Sequence, residues 1–304
     1  MSWRGSGIPE RPCVIKGNEL MWKIAVGVVV GLVVVVVSTT LIGRGVWHAR
    51  SEALLTELAA SASALQPAEF QLSEIDDLPG PVRGYLSQVL DAEQKPVKSV
   101  RISHHGTFNM GTGEPQWRPF SSTQDVAVAG PGFLWNANIR MAPGMPVRVH
   151  DAYVNGRAVL TARLFGLITV MESPDSPELA QGELIRFLAE APWYPTALIP
   201  GPNVSWESID EDSARLTLVD KHTSVSLNVR FGAAGLIDSV YSDGRYRDVD
   251  GVQIRTSWEG RFWSYEERDG MLIPLDGEVA WLLPEGRRPY WRGHIDEIAY
   301  EFVE

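Results

Sequence analysis

One cysteine, Cys13, stands in 304 residues, so no internal disulfide framework and no thiolate metal cluster can form. Catalytic signatures are equally scarce. The chain has no G-x-S-x-G elbow for a hydrolytic serine, and neither G-x-x-x-x-G-K-[ST] nor G-x-G-x-x-G to cradle a phosphate. Six histidines occur (His48, His104, His105, His150, His222 and His294), and none makes the H-E-x-x-H pair of a zinc helix. His104 and His105 are adjacent, so on a strand they point to opposite faces and cannot chelate together. Asp248-Val249-Asp250-Gly251 opens like a calcium loop, but Val252 falls where an Asp or Asn is needed, so a polar hairpin turn is expected. No metal site and no cofactor is therefore expected. Basic charge is also short. Residues 1–50 carry six basic and two acidic groups, and the other 254 residues carry 21 basic and 36 acidic ones, a net of −15. So acidic a body is unsuited to a nucleic-acid backbone.

The chain does contain a long apolar run. Ile24 to Ile42 (IAVGVVVGLVVVVVSTTLI) is nineteen residues without a charge, the length that crosses a bilayer as a helix. It is too long for the core of a cleaved signal, and no small-x-small site follows it, so a retained anchor is expected. Four Lys/Arg precede the run and two follow it closely, which predicts a cytoplasmic N-terminus and an extracytoplasmic body in a single-pass cell-membrane protein. Trp22 and Trp47 bracket the span as interfacial aromatics do. Gly27 and Gly31 form a small-xxx-small pair that suits a homodimer of helices, although a Val/Gly-rich span needs no partner.

These features divide the chain into a short cytoplasmic N-terminus (1–23), a transmembrane helix (24–42), a helical stalk or linker (43–76) and an extracytoplasmic β domain (77–304). Leu54, Leu55 and Leu58 share one side of the stalk, and Pro67 ends it. A short helix is predicted from Pro81 to Leu90, with Val82, Tyr85, Leu86 and Val89 on one face. Beyond Pro96 apolar residues alternate with polar ones. Phe133, Trp135, Ala137, Ile139 and Met141 are the best case, followed by Val225 to Phe231, Val252 to Trp258 and Val279 to Leu283. Turn dipeptides such as Asn155-Gly156 and Asp269-Gly270 separate the runs. Ten or eleven strands are predicted, interrupted by a helix at about 177–191. The fold class is mainly β (α+β), a large antiparallel sheet, curled or incompletely closed like part of a barrel, with a covering helix.

The segment Arg186-Phe187-Leu188-Ala189-Glu190-Ala191-Pro192-Trp193-Tyr194-Pro195-Thr196-Ala197-Leu198 resembles the hallmark R-[FY]-L-A-E-x-x-W-x-P-x-A-L of a prokaryotic family of unknown function. Leu78-Pro79, Pro81-Val82-Arg83, Trp117 to Phe120, Pro131 to Trp135, Asp151 to Tyr153 and Val204 to Trp206 fit the same pattern. The resemblance runs from about Asp77 to Phe302 and brings no activity with it. More loosely, the architecture is similar to the incomplete β-barrels of lipoprotein carriers and related lipid-binding exported proteins.

The candidate site follows from that segment. Arg186 and Glu190 are four apart on one helix face. Glu190 is a candidate acid/base or polar ligand anchor in a pocket with Trp193, Tyr194, Trp135, Trp206 and Asp151; alternatively, Arg186 and Glu190 pair simply to fix the helix to the sheet. The tryptophans on the apolar strand faces line a cavity if the barrel is open and form ordinary core if it is filled. The leading expectation is a groove for a lipid or another hydrophobic ligand. The alternatives are an enzyme using Glu190 with Asp151 or His150, and an assembly module of the cell envelope.

Overall fold

The computed structural model describes residues 15–63, 75, 77–111, 113–249 and 251–303. Cys13, the segment before it, the linker at 64–74 and Asp250 lie outside the described residues.

Two meanders of antiparallel strands share one sheet. The first runs through β1 (Val97–Asn109), β2 (Trp117–Ala127), β3 (Gly132–Ala142), β4 (Met145–Val154), β5 (Arg157–Leu164) and β6 (Ile168–Ser173). The second runs through β7 (Val204–Ser208), β8 (Ser213–Asp220), β9 (Thr223–Phe231), β10 (Ile237–Val249), β11 (Val252–Arg268), β12 (Met271–Leu283) and β13 (Gly286–Phe302). Pairing of β1 with β13 joins them into a 13-stranded sheet in the order β6-β5-β4-β3-β2-β1-β13-β12-β11-β10-β9-β8-β7. A sheet of that width curls as its twist accumulates. The curl brings the β8–β9 turn onto the β4–β5 turn, where Lys221 Nζ donates to Asn155 O (2.6 Å) and Tyr153 Oη donates to Asp220 Oδ2 (2.7 Å). The result is a half-barrel with two free edges, β6 and β7.

Local chemistry accounts for the tight hairpins. Asn155 (φ 55°) and Gly156 (φ 82°) join β4 to β5, and Asp269 (φ 49°) and Gly270 (φ 77°) join β11 to β12. Two successive positive φ angles make the turn whose twist matches its flanking strands, and Asn-Gly and Asp-Gly are the pairs that tolerate it. Thirteen strands form where ten or eleven are read from the alternation. Short strands carry the weakest signal, and β6 in particular is exposed along nearly its whole length, so no face of it alternates.

The concave face holds the core. Across it lie α2 (Gly80–Val89), which buries Val82, Tyr85, Leu86 and Val89 as its sequence face predicts, and α3 (Pro177–Ala189). Two short 3-10 turns, Ala191–Trp193 and Pro195–Leu198, follow α3. Because β6 and β7 are opposite edges yet consecutive in sequence, the chain between them has to cross the opening, and α3 is that crossing. Ser176 caps it by accepting from Leu179 N (3.2 Å), and Pro177 occupies the first turn.

The convex face carries a helix as well. The first helix, α1, is unbroken from Ile15 to Ser63. Its Met21–Ser61 part is long and apolar enough to cross a membrane, and none of its most apolar window is buried by the body. From Gly43 onward the same helix lies on the sheet. Trp47 is 2% exposed, stacks on His150 (centroids 3.7 Å apart) and donates to Asn136 Oδ1 (2.9 Å). Ser51 Oγ bonds His150 Nε2 (2.8 Å), and Leu58 packs with Leu134, Ala152 and Val154. Arg157 pairs with Glu57 near the helix end (2.6 Å). Strands β3 and β4 are therefore the middle layer of three.

Candidate functional site

Two arginines organise the concave face. Arg186, near the end of α3, donates through Nη1 to Asp151 Oδ2 on β4 (2.6 Å) and through Nε to Glu190 Oε1 (2.8 Å). Its Nη2 donates to Gln124 Oε1 on β2 (3.2 Å), and Gln124 Nε2 closes the ring by donating to Glu190 Oε2 (2.6 Å). The guanidinium carbon lies 4.8 Å from the Phe133 ring centroid and 5.1 Å from that of Trp135, so the cation rests on two aromatic rings. Burial works against the Arg186 charge, but the fields of Glu190, Asp151 and Glu183 more than offset it and raise its pKa.

The second arginine, Arg245 on β10, pairs with Glu183 of α3 (3.4 Å) and donates to Tyr290 Oη (3.1 Å), which also accepts from Trp258 Nε1 (2.9 Å). Burial pushes the Glu183 carboxyl well above the ordinary carboxylate range, and the Asp151 charge beside it pushes the same way. Among the described residues neither Asp151 Oδ1 nor Glu183 Oε2 has a donor in any other group. Two carboxylate oxygens cannot bond each other unless one carries a proton. A side-chain hydrogen bond between Glu183 and Asp151 is a further cause of the raised Glu183 pKa, and it links the two arginine clusters.

The structure thus brings Arg186, Glu190 and Asp151 together over Trp135. The side chains of the other three candidates make no hydrogen bond to this cluster among the described residues. Tyr194 Oη donates to Phe187 O (2.6 Å) and Trp206 Nε1 to Leu198 O (2.8 Å), while the Trp193 carbonyl accepts from Tyr300 Oη (2.7 Å). The Trp193 ring packs against His104 (5.0 Å) and Trp291 (6.4 Å). The imidazole of His104 is fully enclosed, and both its ring nitrogens lack partners among the described residues; burial first, then the Arg186 charge, lowers its pKa to about 3. Glu190 and Asp151 converge, as an acid/base pair must, but they converge on a guanidinium, with both Glu190 oxygens engaged. As it stands, this chemistry binds α3 to the sheet.

Sequence reading missed Gln124, Glu183, Arg245 and Tyr290. Gln124 had a signal, because it is a polar side chain at the inward parity of β2, between Ser122 and Val126. Glu183 also had one, since it shares a helical face with Arg186 and Glu190. Arg245 had none, because the register shift between Ser242 and Arg245 breaks the alternation that tells inward from outward.

An open cleft of about 840 Å³ lies elsewhere, at the β3–β4 lip of the half-barrel. Met141, Pro143, Met145 and Pro146 give it apolar walls, and Arg118 and Arg140 are its charged groups. Among the described residues no three His, Cys, Asp or Glu side chains gather to hold a metal.

These features define the class: an incompletely closed antiparallel β-barrel with a helix across its concave face and a long apolar helix at its N-terminal side. Residues 76–300 match a family of unknown function (DUF6920), and the chain belongs to that family. Among solved structures it is similar to a LolA superfamily protein from Nitrosomonas europaea, with 11% identity over 77% of this chain and 93% of the other, at a TM-score of 0.37. It is also similar to a DUF1329 family protein from Desulfovibrio piger, with 12% identity over 82% of this chain and 93% of the other, at a TM-score of 0.39. No curated protein matches the sequence. The family of unknown function expected from the sequence is found.

Proposed function

We propose that the protein is a single-pass, membrane-anchored lipid-handling domain. Residues 24–42 span the cell membrane with the N-terminus in the cytoplasm, and the half-barrel outside holds the apolar part of a lipid or another hydrophobic molecule. One observation carries this reading: α1 is a single helix whose first half has a bare apolar surface and whose second half is a layer of the body. Contiguous apolar surface of that extent needs a bilayer or a partner to cover it. The cleft opens at the end of the sheet where this helix arrives, and its apolar walls with two arginines suit an amphiphile. In this reading Arg186, Glu190, Asp151 and Trp135 are the latch that keeps α3 over the concave face. Trp193, Tyr194 and Trp206 form the wall behind it. Gly27 and Gly31, with open space around both, leave room for the helix of a second copy.

Native mass spectrometry of the full-length chain, released from detergent, tests the proposal. The expected result is about one lipid retained per chain by the wild type, and most of it lost in Ala142→Glu, which puts a charged side chain into the cleft. A wild-type chain that emerges bare, or a variant that keeps the same lipid, would overturn it.

A further inference from the structure

Gly43 is the first residue after the apolar run, and it already touches the body. A side chain there would collide with the carbonyl of Phe165 in the β5–β6 turn, and Gly166 of the same turn lies against the Gly43 carbonyl and Trp47. Nineteen helical residues span about 28 Å, close to the thickness of the hydrocarbon core, so α1 has little freedom to slide along its axis. Where Ile42 leaves the hydrocarbon, the β5–β6 turn stands at the level of the headgroups.

Exposed apolar side chains and uncompensated arginines come together at this end. Ile168 is 57% exposed, Val170 61% and Met145 43%, on the β5–β6 and β3–β4 sides of the same lip. Arg163 of the β5–β6 hairpin pairs with Glu172 (3.4 Å), but other arginines here are uncompensated. Several arginines of the body are matched to carboxylates, as in Arg101–Asp125, Arg230–Asp212, Arg261–Glu259 and Arg292–Glu278. At this end Arg44, Arg118, Arg140 and Arg148 have no acidic partner within ion-pair distance among the described residues, although the body is strongly acidic. Burial and then the nearby Arg44 lower the pKa of Arg148, a cost of like charges held together without a counter-ion. Apolar tips beside uncompensated arginines are the composition of a surface that rests on anionic headgroups.

We infer that the β3–β4 and β5–β6 end of the half-barrel docks on the bilayer from which α1 emerges, with Met145, Ile168 and Val170 entering the interface and Arg44, Arg118, Arg140 and Arg148 meeting the phosphates of anionic lipids. The inference rests on α1 being a retained span. Docking holds the mouth of the cleft against the lipid surface, so a lipid can pass between them without crossing water.

Depth-dependent quenching in the full-length chain tests this. A Cys13→Ser background carrying Met145→Cys or Ile168→Cys is labelled with an environment-sensitive fluorophore and reconstituted with headgroup-level nitroxide lipids. Val219→Cys is the control: it is close to Lys221, which reaches Asn155 at the far end of β4. That neighbourhood meets α1 only near Glu57, 14 residues and about 21 Å beyond Gly43. Labels at 145 and 168 are expected to lose more than half their emission while the label at 219 is unchanged. Quenching at 145 is expected to be stronger in vesicles with phosphatidylglycerol than in pure phosphatidylcholine, and Arg118→Ala/Arg140→Ala is expected to abolish that difference. Tips quenched no more than the control would overturn the docking while leaving the anchor intact, and equal quenching in both lipids would overturn the role of the arginines. A chain washed from the vesicles by alkaline carbonate would overturn the anchor and the docking together.

Discussion

Arg186→Met is expected to cost about 3–5 kcal/mol of stability, the range for removing one partner of a buried ion pair. The substitution strands three acceptors at once. Asp151 and Glu190 lose their cation, and Gln124 Oε1 loses its donor. A methionine fills the volume over Phe133 and Trp135, so the loss measures charge and hydrogen bonding more than cavity. For a body of this size that is roughly a 10 °C fall in Tm. Arg186→Lys recovers only part of it, because one ammonium cannot serve the planar fork that reaches Asp151, Glu190 and Gln124 together. Neutralising the set, Arg186→Met with Asp151→Asn and Glu190→Gln, is expected to be milder than Arg186→Met alone. Thermal unfolding of the purified full-length chain reads all three. A single Arg186→Met variant within about 2 °C of the wild type would mean that the network does not hold α3.

Between pH 7 and pH 5 two buried histidines are expected to remove about 4 kcal/mol of stability relative to a variant that lacks them. Burial pushes His104 down to about 3 and His150 down to about 4, His150 being lowered further by Arg50, Arg163 and Arg148. Both are therefore neutral in the folded chain, where an unfolded histidine titrates near 6.5. As the pH falls below 6.5 the unfolded chain takes up protons that the folded one refuses. Stability is thus present above 6.5 and is lost progressively down to about 4 and 3. At pH 5 each histidine has given up roughly 2 kcal/mol. Glu183 acts in the opposite sense, because its raised pKa stabilises the fold as the pH drops and weakens it as the pH rises through that value. The double variant His104→Phe/His150→Gln separates the contributions. Phenylalanine keeps the ring between Trp193 and Trp291, and glutamine keeps a partner for Ser51. Denaturant unfolding should show the double variant losing less stability than the wild type from pH 7 to 5, with the Glu183 contribution left in place; parallel profiles would contradict the assignment.

Some of this was legible in the sequence, and the reason is local. The alternation in Phe133 to Met141 marks β3, and the i, i+4 spacing of Arg186 and Glu190 marks a shared face, because both signals repeat within one element. What joins elements left less trace. Leu134 looks like an irregularity on a polar face until α1 is seen to pack against it from outside. The stretch from Gly132 to Trp135 is buried on both sides for the same reason. The stalk leucines Leu54, Leu55 and Leu58 were visible as a stripe, but nothing local says that their partner is the convex face of β2–β4. Arg245 was hidden by a bulge, and the raised pKa of Glu183 beside Asp151 depends on distant segments meeting in a buried place. The two acids are 32 residues apart in sequence.

The central claim is that one unbroken helix crosses the membrane and then becomes a layer of a body on the outer side. Labelling spheroplasts with a membrane-impermeant maleimide tests it most directly, comparing the wild type, whose only thiol is Cys13, with Cys13→Ser/Val219→Cys. The cysteine at 219 is expected to react in intact spheroplasts and Cys13 only after lysis, with both full-length chains remaining in the membrane through an alkaline carbonate wash. Labelling of Cys13 from outside, protection of the cysteine at 219, or release of a shortened soluble chain would contradict it.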